Sequence, residues 1–210
     1  MCSEFVYKLI MQDKKMTVRH ELAPHLKFYG DIPAHLDYPD CSMIDLIEKN
    51  AEGWPNLYAH QFFGAKRKYK EFIEDVHTCA KALRAIGIKE GDRVTICMPN
   101  TPQALVTFYA LNRMGAVANM VHPLSGEEEI VFFLNFSKSK AAITLDQFYP
   151  KFANIRDKTA LQHLIIASVK NGMPRSVKMG YELTQGRKIS VPTDAHVIWW
   201  KNFMKLGKSY

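Results

Sequence analysis

The chain has 210 residues, 47% of them hydrophobic and 23% charged, and a formal net charge of +7. That balance excludes disordered, collagenous and disulfide-scaffold chains and leaves a folded, water-soluble protein, one domain with appendages. The charge is uneven: residues 1–150 carry 17 Lys and Arg against 18 Asp and Glu, whereas residues 151–210 carry 11 against 3.

The basic residues of that last part fall singly or in pairs, as at Lys151, Arg156, Lys170 and Arg187–Lys188. Basic blocks interleaved with stacking aromatics are missing, so no nucleic-acid partner is expected. A solvated face is the plain reading, beside a face turned to a phosphorylated ligand or an acidic partner. No run of 18 apolar residues exists, and Glu4, Lys8 and Asp13 interrupt the apolar N-terminus, so neither a membrane span nor a signal peptide is expected. Four cysteines at 2, 41, 79 and 97 form no CxxC pair and read as reduced thiols, which together suggest a cytoplasmic protein.

In chain order, residues 1–40 mix Pro24, Pro33, Pro39 and Gly30 with charges and read as an irregular N-terminal arm. Apolar residues at helical spacing from Ser42 to Ala51 predict a helix that Gly53 and Pro55 stop. LYAHQFFGAKRKY predicts two short strands turning at Gly64–Ala65. A helix from about Lys70 follows, with Phe72, Val76, Cys79, Ala80 and Leu83 inward and Gly87 ending it in the left-handed conformation.

Lys89 to Asp92 make a polar turn, and Arg93 to Met98 form a run short and apolar enough for a buried strand. Thr101 is placed to cap the next helix, with Pro102 in its first position and Gly115 after Met114. Ala116 to Val121 reads as a second buried strand. Ser125 and Glu128 have capping-box spacing before a helix with Ile130, Phe133, Leu134 and Phe136 on its apolar side. Ala141 to Leu145 is the third strand of the series.

Short apolar strands alternating with helices predict an α/β fold, with a mostly parallel sheet, helices on both faces and right-handed crossovers over residues 41–168. A helix near Gln147–Asn154 and a strand at 164–168 follow. Residues 169–196 read as loop-rich, with three Gly and two Pro in Val169–Thr193. Val197 to Leu206 predicts a short amphipathic helix whose Trp199, Trp200 and Phe203 need a cover from elsewhere.

Reactive constellations are missing from the sequence. There is no HExxH, GxSxG or CxxC, and the eight histidines lack metal-ligand spacing. GYELTQGRK at Gly180–Lys188 has five residues between its glycines where a phosphate loop needs four. Glu127, Glu128 and Glu129 point in different directions on a helix and suit a first turn, not acid–base chemistry.

The series Tyr69-Lys-Glu-Phe, Ala80-x-Ala82-Leu83, GIKEGDRVTICMPNTPQAL, ALNRMGAVANMVHPLSGEEE and KAAITLD, within residues 42–167, resembles the N-terminal portion of the AMP-forming acyl-CoA synthetases. Lys68 stands where that family usually has Ser or Thr, and His122 where Asn is common. The resemblance implies a parent ligase that activates a carboxylic acid with ATP and Mg²⁺ to an acyl-adenylate and passes the acyl group to coenzyme A. Family frequency points to a fatty acid.

The family's Ser/Thr/Gly-rich loop and other nucleotide motifs are not in this sequence. The resemblance therefore implies a fragment with no catalytic residue and no cofactor bound by this chain alone, inactive alone and partnered by the remainder of the parent, with homo-oligomers open. A non-catalytic assembly module or a split subunit of the same fold is the alternative. By the same resemblance His122, Ser125 and Gly126 form a candidate turn near the nucleotide part of coenzyme A.

Overall fold

The computed structural model describes residues 24–33, 36–184, 191–192 and 196–210. Most of the predicted N-terminal arm, Cys2, and residues 185–188 of the phosphate-loop look-alike lie outside them. Two compact units divide at Asp40. The first holds a short 3-10 helix, Pro24–Phe28, followed by Gly30 at φ 53°.

The second unit begins with helix α1 (Met43–Gly53). Ser42 caps it in a reciprocal arrangement with Asp45: the Asp45 N–H donates to Ser42 Oγ, and the Ser42 N–H donates to Asp45 Oδ2 at 2.9 Å. Strands β1 (Tyr58–Phe62) and β2 (Ala65–Lys68) pair antiparallel. Their turn is Phe63–Gly64, one residue earlier than predicted, with both φ values positive at 47° and 87°. A two-residue hairpin with that twist needs such angles, and glycine supplies only one of them without strain.

Helix α2 (Tyr69–Ala85), strand β3 (Arg93–Cys97), helix α3 (Pro102–Met114), strand β4 (Val117–Met120), helix α4 (Glu127–Ser137) and strand β5 (Ala141–Leu145) follow the predicted series. Helix α5 (Tyr149–Asn154), strand β6 (His163–Ala167), helix α6 (Arg175–Thr184), strand β7 (Val197–Trp199) and helix α7 (Trp200–Ser209) complete it. The five-stranded sheet has the order β4-β3-β5-β6-β7 and is parallel throughout. This is a doubly wound sheet, reversing direction between β3 and β5.

Strand alternation divides the core into two layers. Val94, Ile96, Ile143, Leu145 and Ile165 join α1, α2, α3 and α7 on one face, while Cys97, Ala142, Leu164, Ile166 and Val197 meet α4 and α5 on the other. Helices on both faces were read from the apolar strands, and the structure agrees.

The Gly-Asp-Arg-Val turn proves to be a staple. Gly91, at φ 75°, donates its N–H to Gly115 O, and Asp92 accepts from the Lys89 N–H at 2.8 Å and pairs with Lys140 Nζ at 2.7 Å. The Lys140 hydrogen bond holds the Asp92 carboxyl below its ordinary range. One carboxylate thus fastens the start of β3 to the start of β5.

Several expectations are corrected. Strand β4 is not fully buried: it forms the sheet edge, with Val117 49% and Met120 56% exposed. Gly126, not Ser125, is the N-cap of α4, without a side-chain cap. The residues read as its apolar side also divide, since Ile130 and Leu134 are buried but Phe136 is exposed and stacks on exposed Phe132 at 5.7 Å.

Third, the segment read as a loop from Val169 contains α6, because Pro174 starts a helix that its internal Gly180 does not stop. Fourth, Val197–Trp199 is a strand, not helix. Phe203, only 1% exposed, finds its cover within this chain, on α2, with Trp200 packed beside it. Edge position and tertiary cover depend on strand order, which local periodicity does not encode.

Two predictions arise from the packing. Glu48 on α1 is shared by His77 on α2, at 2.6 Å, and Arg113 on α3. Burial pushes the Glu48 carboxyl up, but these two hydrogen bonds prevail and its pKa falls below the ordinary 4.5. A lowered folded pKa stabilises above 4.5 and is lost as pH falls through the folded value. Glu48→Gln is expected to cost up to about 1 kcal/mol at neutral pH and to flatten this acid limb of stability, measured by urea unfolding between pH 3 and 7.

The described cysteines also differ. Burial raises the Cys79 thiol to about 12 and the Cys97 thiol to about 11, whereas Cys41 is exposed. Iodoacetamide followed by peptide mapping is expected to modify Cys41 in the native chain and Cys79 and Cys97 only after denaturation.

Candidate functional site

Parallel strands deliver their following loops to one end of the sheet, which makes the carboxyl-end rim the place to look for a ligand. After β3 the chain runs through Met98, Pro99 and Asn100 to Thr101, whose Oγ1 accepts from the Ala104 N–H at 3.3 Å and caps α3. After β4 it turns at His122–Ser125, closed by the Ser125 N–H donating to His122 O at 3.1 Å.

Lys151, on α5, holds this second turn from below. Its Nζ donates to Ser125 O at 2.7 Å and to Pro123 O at 3.3 Å, while the Leu124 N–H donates to His122 Nδ1 at 3.2 Å. The backbone of the turn is therefore fixed, and the exposed His122 ring is oriented by its own loop. Gly126 passes its carbonyl to the Ile130 N–H at 3.0 Å and starts α4.

His122 lines a cleft of about 430 Å³ with Met98, Pro99, Asn100, Met120 and Pro123. Asn100 and Met120 also belong to an adjoining apolar cleft of about 260 Å³ that runs past His60, Phe62, Leu105 and Phe108. Together they form a trough over the ends of β3 and β4, starting at the β3 side of the sheet's reversal. Of the three predicted residues, the structure brings His122 to the trough and leaves Ser125 and Gly126 off its wall.

His60 and Asn100 were missed. They stand forty residues apart in sequence, and only the placement of the hairpin against the start of α3 unites them. Burial, more than the neighbouring Arg67 charge, lowers the His60 pKa and favours its neutral ring.

The trough can accept a largely apolar or amphiphilic group, with Asn100, His60 and His122 as polar contacts. No group of three or more His, Cys, Asp or Glu suited to a metal ion occurs among the described residues. The Cys97 thiol below it donates to His122 O at 3.8 Å, and at about 11 its pKa keeps it protonated at neutral pH.

A doubly wound parallel sheet with a trough at its carboxyl end is the architecture of a ligand-binding α/β protein. Sequence comparison narrows the class: a family model described as AMP-binding enzyme matches residues 47–195, and the chain belongs to that family. A long-chain-fatty-acid–CoA ligase of Bacillus subtilis is 28% identical over 185 residues, covering 87% of this chain and 33% of the relative.

Among solved structures, coronafacic acid ligase from Pectobacterium brasiliense shares the fold with a TM-score of 0.63 at 19% identity, covering 79% of this chain and 29% of that one. An N-terminal domain from Mycobacterium tuberculosis gives a TM-score of 0.57 at 23% identity, over 74% of this chain and 38% of that one. The chain thus spans a third or less of the curated relatives it matches. No helix among the described residues is long and apolar enough to cross a membrane.

Proposed function

We propose that this chain is the N-terminal portion of an AMP-forming acyl-CoA synthetase whose whole activates a fatty acid with ATP and transfers the acyl group to coenzyme A. The family match over residues 47–195 carries the reading. The name of the Bacillus subtilis relative supports the choice of acid, and the share of that relative covered supports a partial chain.

ATP and Mg²⁺ do not fit the residues described here. The trough offers no acidic ligand set for the cation, and Lys151, the ammonium nearest the His122 turn, is spent on two backbone carbonyls. No adenylation step is therefore assigned to this chain. Coenzyme A is the better candidate: the trough has an apolar floor with Asn100 and His122 at its edge, chemistry suited to an amphiphilic arm, and His122 is the member of the candidate turn that lines it.

The test is ATP–pyrophosphate exchange by the isolated chain with Mg²⁺ and palmitate, other fatty acids or aryl acids. Exchange is expected to remain at background. Turnover above background that scales with chain concentration and survives repurification refutes the assignment of this chain as inactive by itself.

A further inference from the structure

Helix α4 buries one side and leaves the other bare. Ile130 and Leu134, 0% and 2% exposed, pack on the sheet, whereas Phe132 and Phe136 are 59% and 79% exposed. Four residues apart, the two rings share one face of the helix and stack at 5.7 Å with 15° between their planes. Paired rings left in water forgo the burial that drives most association, and a patch of them marks a surface that meets something else.

The charges around the rings fall in a particular order. Glu128 pairs with Lys158 Nζ at 2.7 Å, and Glu127 accepts from Asn154 Nδ2 at 2.8 Å. Glu129, one turn before Phe132, and Lys138, the C-cap after Phe136, are exposed and have no ion-pair partner among the described residues. From one end to the other the stripe reads acid, ring, ring, base.

Such a stripe is complementary to itself turned end for end. A two-fold axis at the level of Leu134, midway between the rings in sequence, sets Phe132 against Phe136 of the partner subunit. Glu129 lies five residues before that level and Lys138 four after it, so each copy's acid meets the other's base at both ends. A two-fold contact requires this reciprocity. A parallel alignment would instead put acid on acid and base on base.

The open sheet edge borders the same helix. Asn119 Nδ2 donates to Ser137 Oγ at 3.1 Å, so the side of β4 that carries Asn119 and Val117 lies beside the end of α4. Val117, 49% exposed, extends the apolar surface there, and no strand lies beyond β4 among the described residues.

We propose that two copies of this chain pair through antiparallel α4 helices, with the Phe132 and Phe136 rings of both at the centre and Glu129–Lys138 pairs at the two ends. The apolar patch is small, so the association is weak, with a dissociation constant on the order of 10–100 µM. The proposal does not rest on the assignment of the chain to a ligase.

Analytical ultracentrifugation of the 210-residue chain at low salt, over concentrations spanning that range, tests it. Phe136→Ala is expected to raise the dissociation constant about tenfold. Trp54→Ser, which removes an equally bare ring, 66% exposed, at the end of α1, is expected to leave it unchanged. Glu129→Lys and Lys138→Glu each set like charges together at both ends and are expected to weaken association about fivefold. An equimolar mixture of these two single variants restores opposite charges at both ends and is expected to associate as the parent does.

A chain that stays monomeric throughout overturns the proposal and leaves this face to a different occupant. A dimer indifferent to Phe136→Ala, or a mixture that associates no better than either charge variant alone, overturns it as well, because the contact would lie elsewhere or in another alignment. If either charge variant does not fold, Phe136→Ala against Trp54→Ser decides alone.

Discussion

Gly207→Ala is expected to destabilise the chain by about 3 kcal/mol, although helix propensity alone favours alanine over glycine by about 1 kcal/mol. The sign turns on one contact. Gly207 lies in α7 against α2, where an added Cβ would stand 2.0 Å from Thr78 O and 3.0 Å from Ala82 N. Both neighbours are backbone, so no rotamer change relieves the overlap and the helices must separate. Gly53→Ala, at the end of α1 with nothing within 4 Å, is expected to change stability by no more than about 0.5 kcal/mol. Urea unfolding of the three chains measures both, and a Gly207→Ala midpoint at or above the parent's refutes the close crossing.

Phe203→Ala is expected to cost about 3–5 kcal/mol, a large share of the 5–15 kcal/mol typical of a folded domain. The ring is 1% exposed among residues of α2 and the sheet, and its loss leaves a cavity beside Trp200. Phe136→Ala, removing a ring that is 79% exposed, is expected to fall within about 0.5 kcal/mol of the parent. Equal effects of the two substitutions would mean that α7 does not dock as described. Because Phe203 and Gly207 serve the same crossing, the double variant is expected to lose less than the sum of the singles.

The alternation β3-α3-β4-α4-β5 was legible because each element carries its own signal: a short apolar run for a strand, Thr101–Pro102 for a helix start, Gly87 and Gly115 for helix ends. What the sequence withheld was arrangement. Nothing local to Val117–Met120 shows that this strand forms an edge, and nothing local to Trp200–Ser209 shows that α2, over a hundred residues earlier, will cover it. The trough suffered most, since its wall joins the hairpin, the start of α3 and the end of β4. His122 was reached through a resemblance of motifs, and Asn100 was not singled out as a site residue. Strand order places both on one rim.

The crossing of α2 by α7 also bears on how the chain is made. Ribosomal synthesis delivers α2 long before its partner, so Val76, Cys79 and Leu83 emerge on a helix whose neighbouring surface at Thr78 and Ala82 waits for Gly207. Contacts so distant in sequence close late. Until they do, the nascent chain presents a sticky, half-built core to its neighbours on the polysome, and holding chaperones would find their footing there.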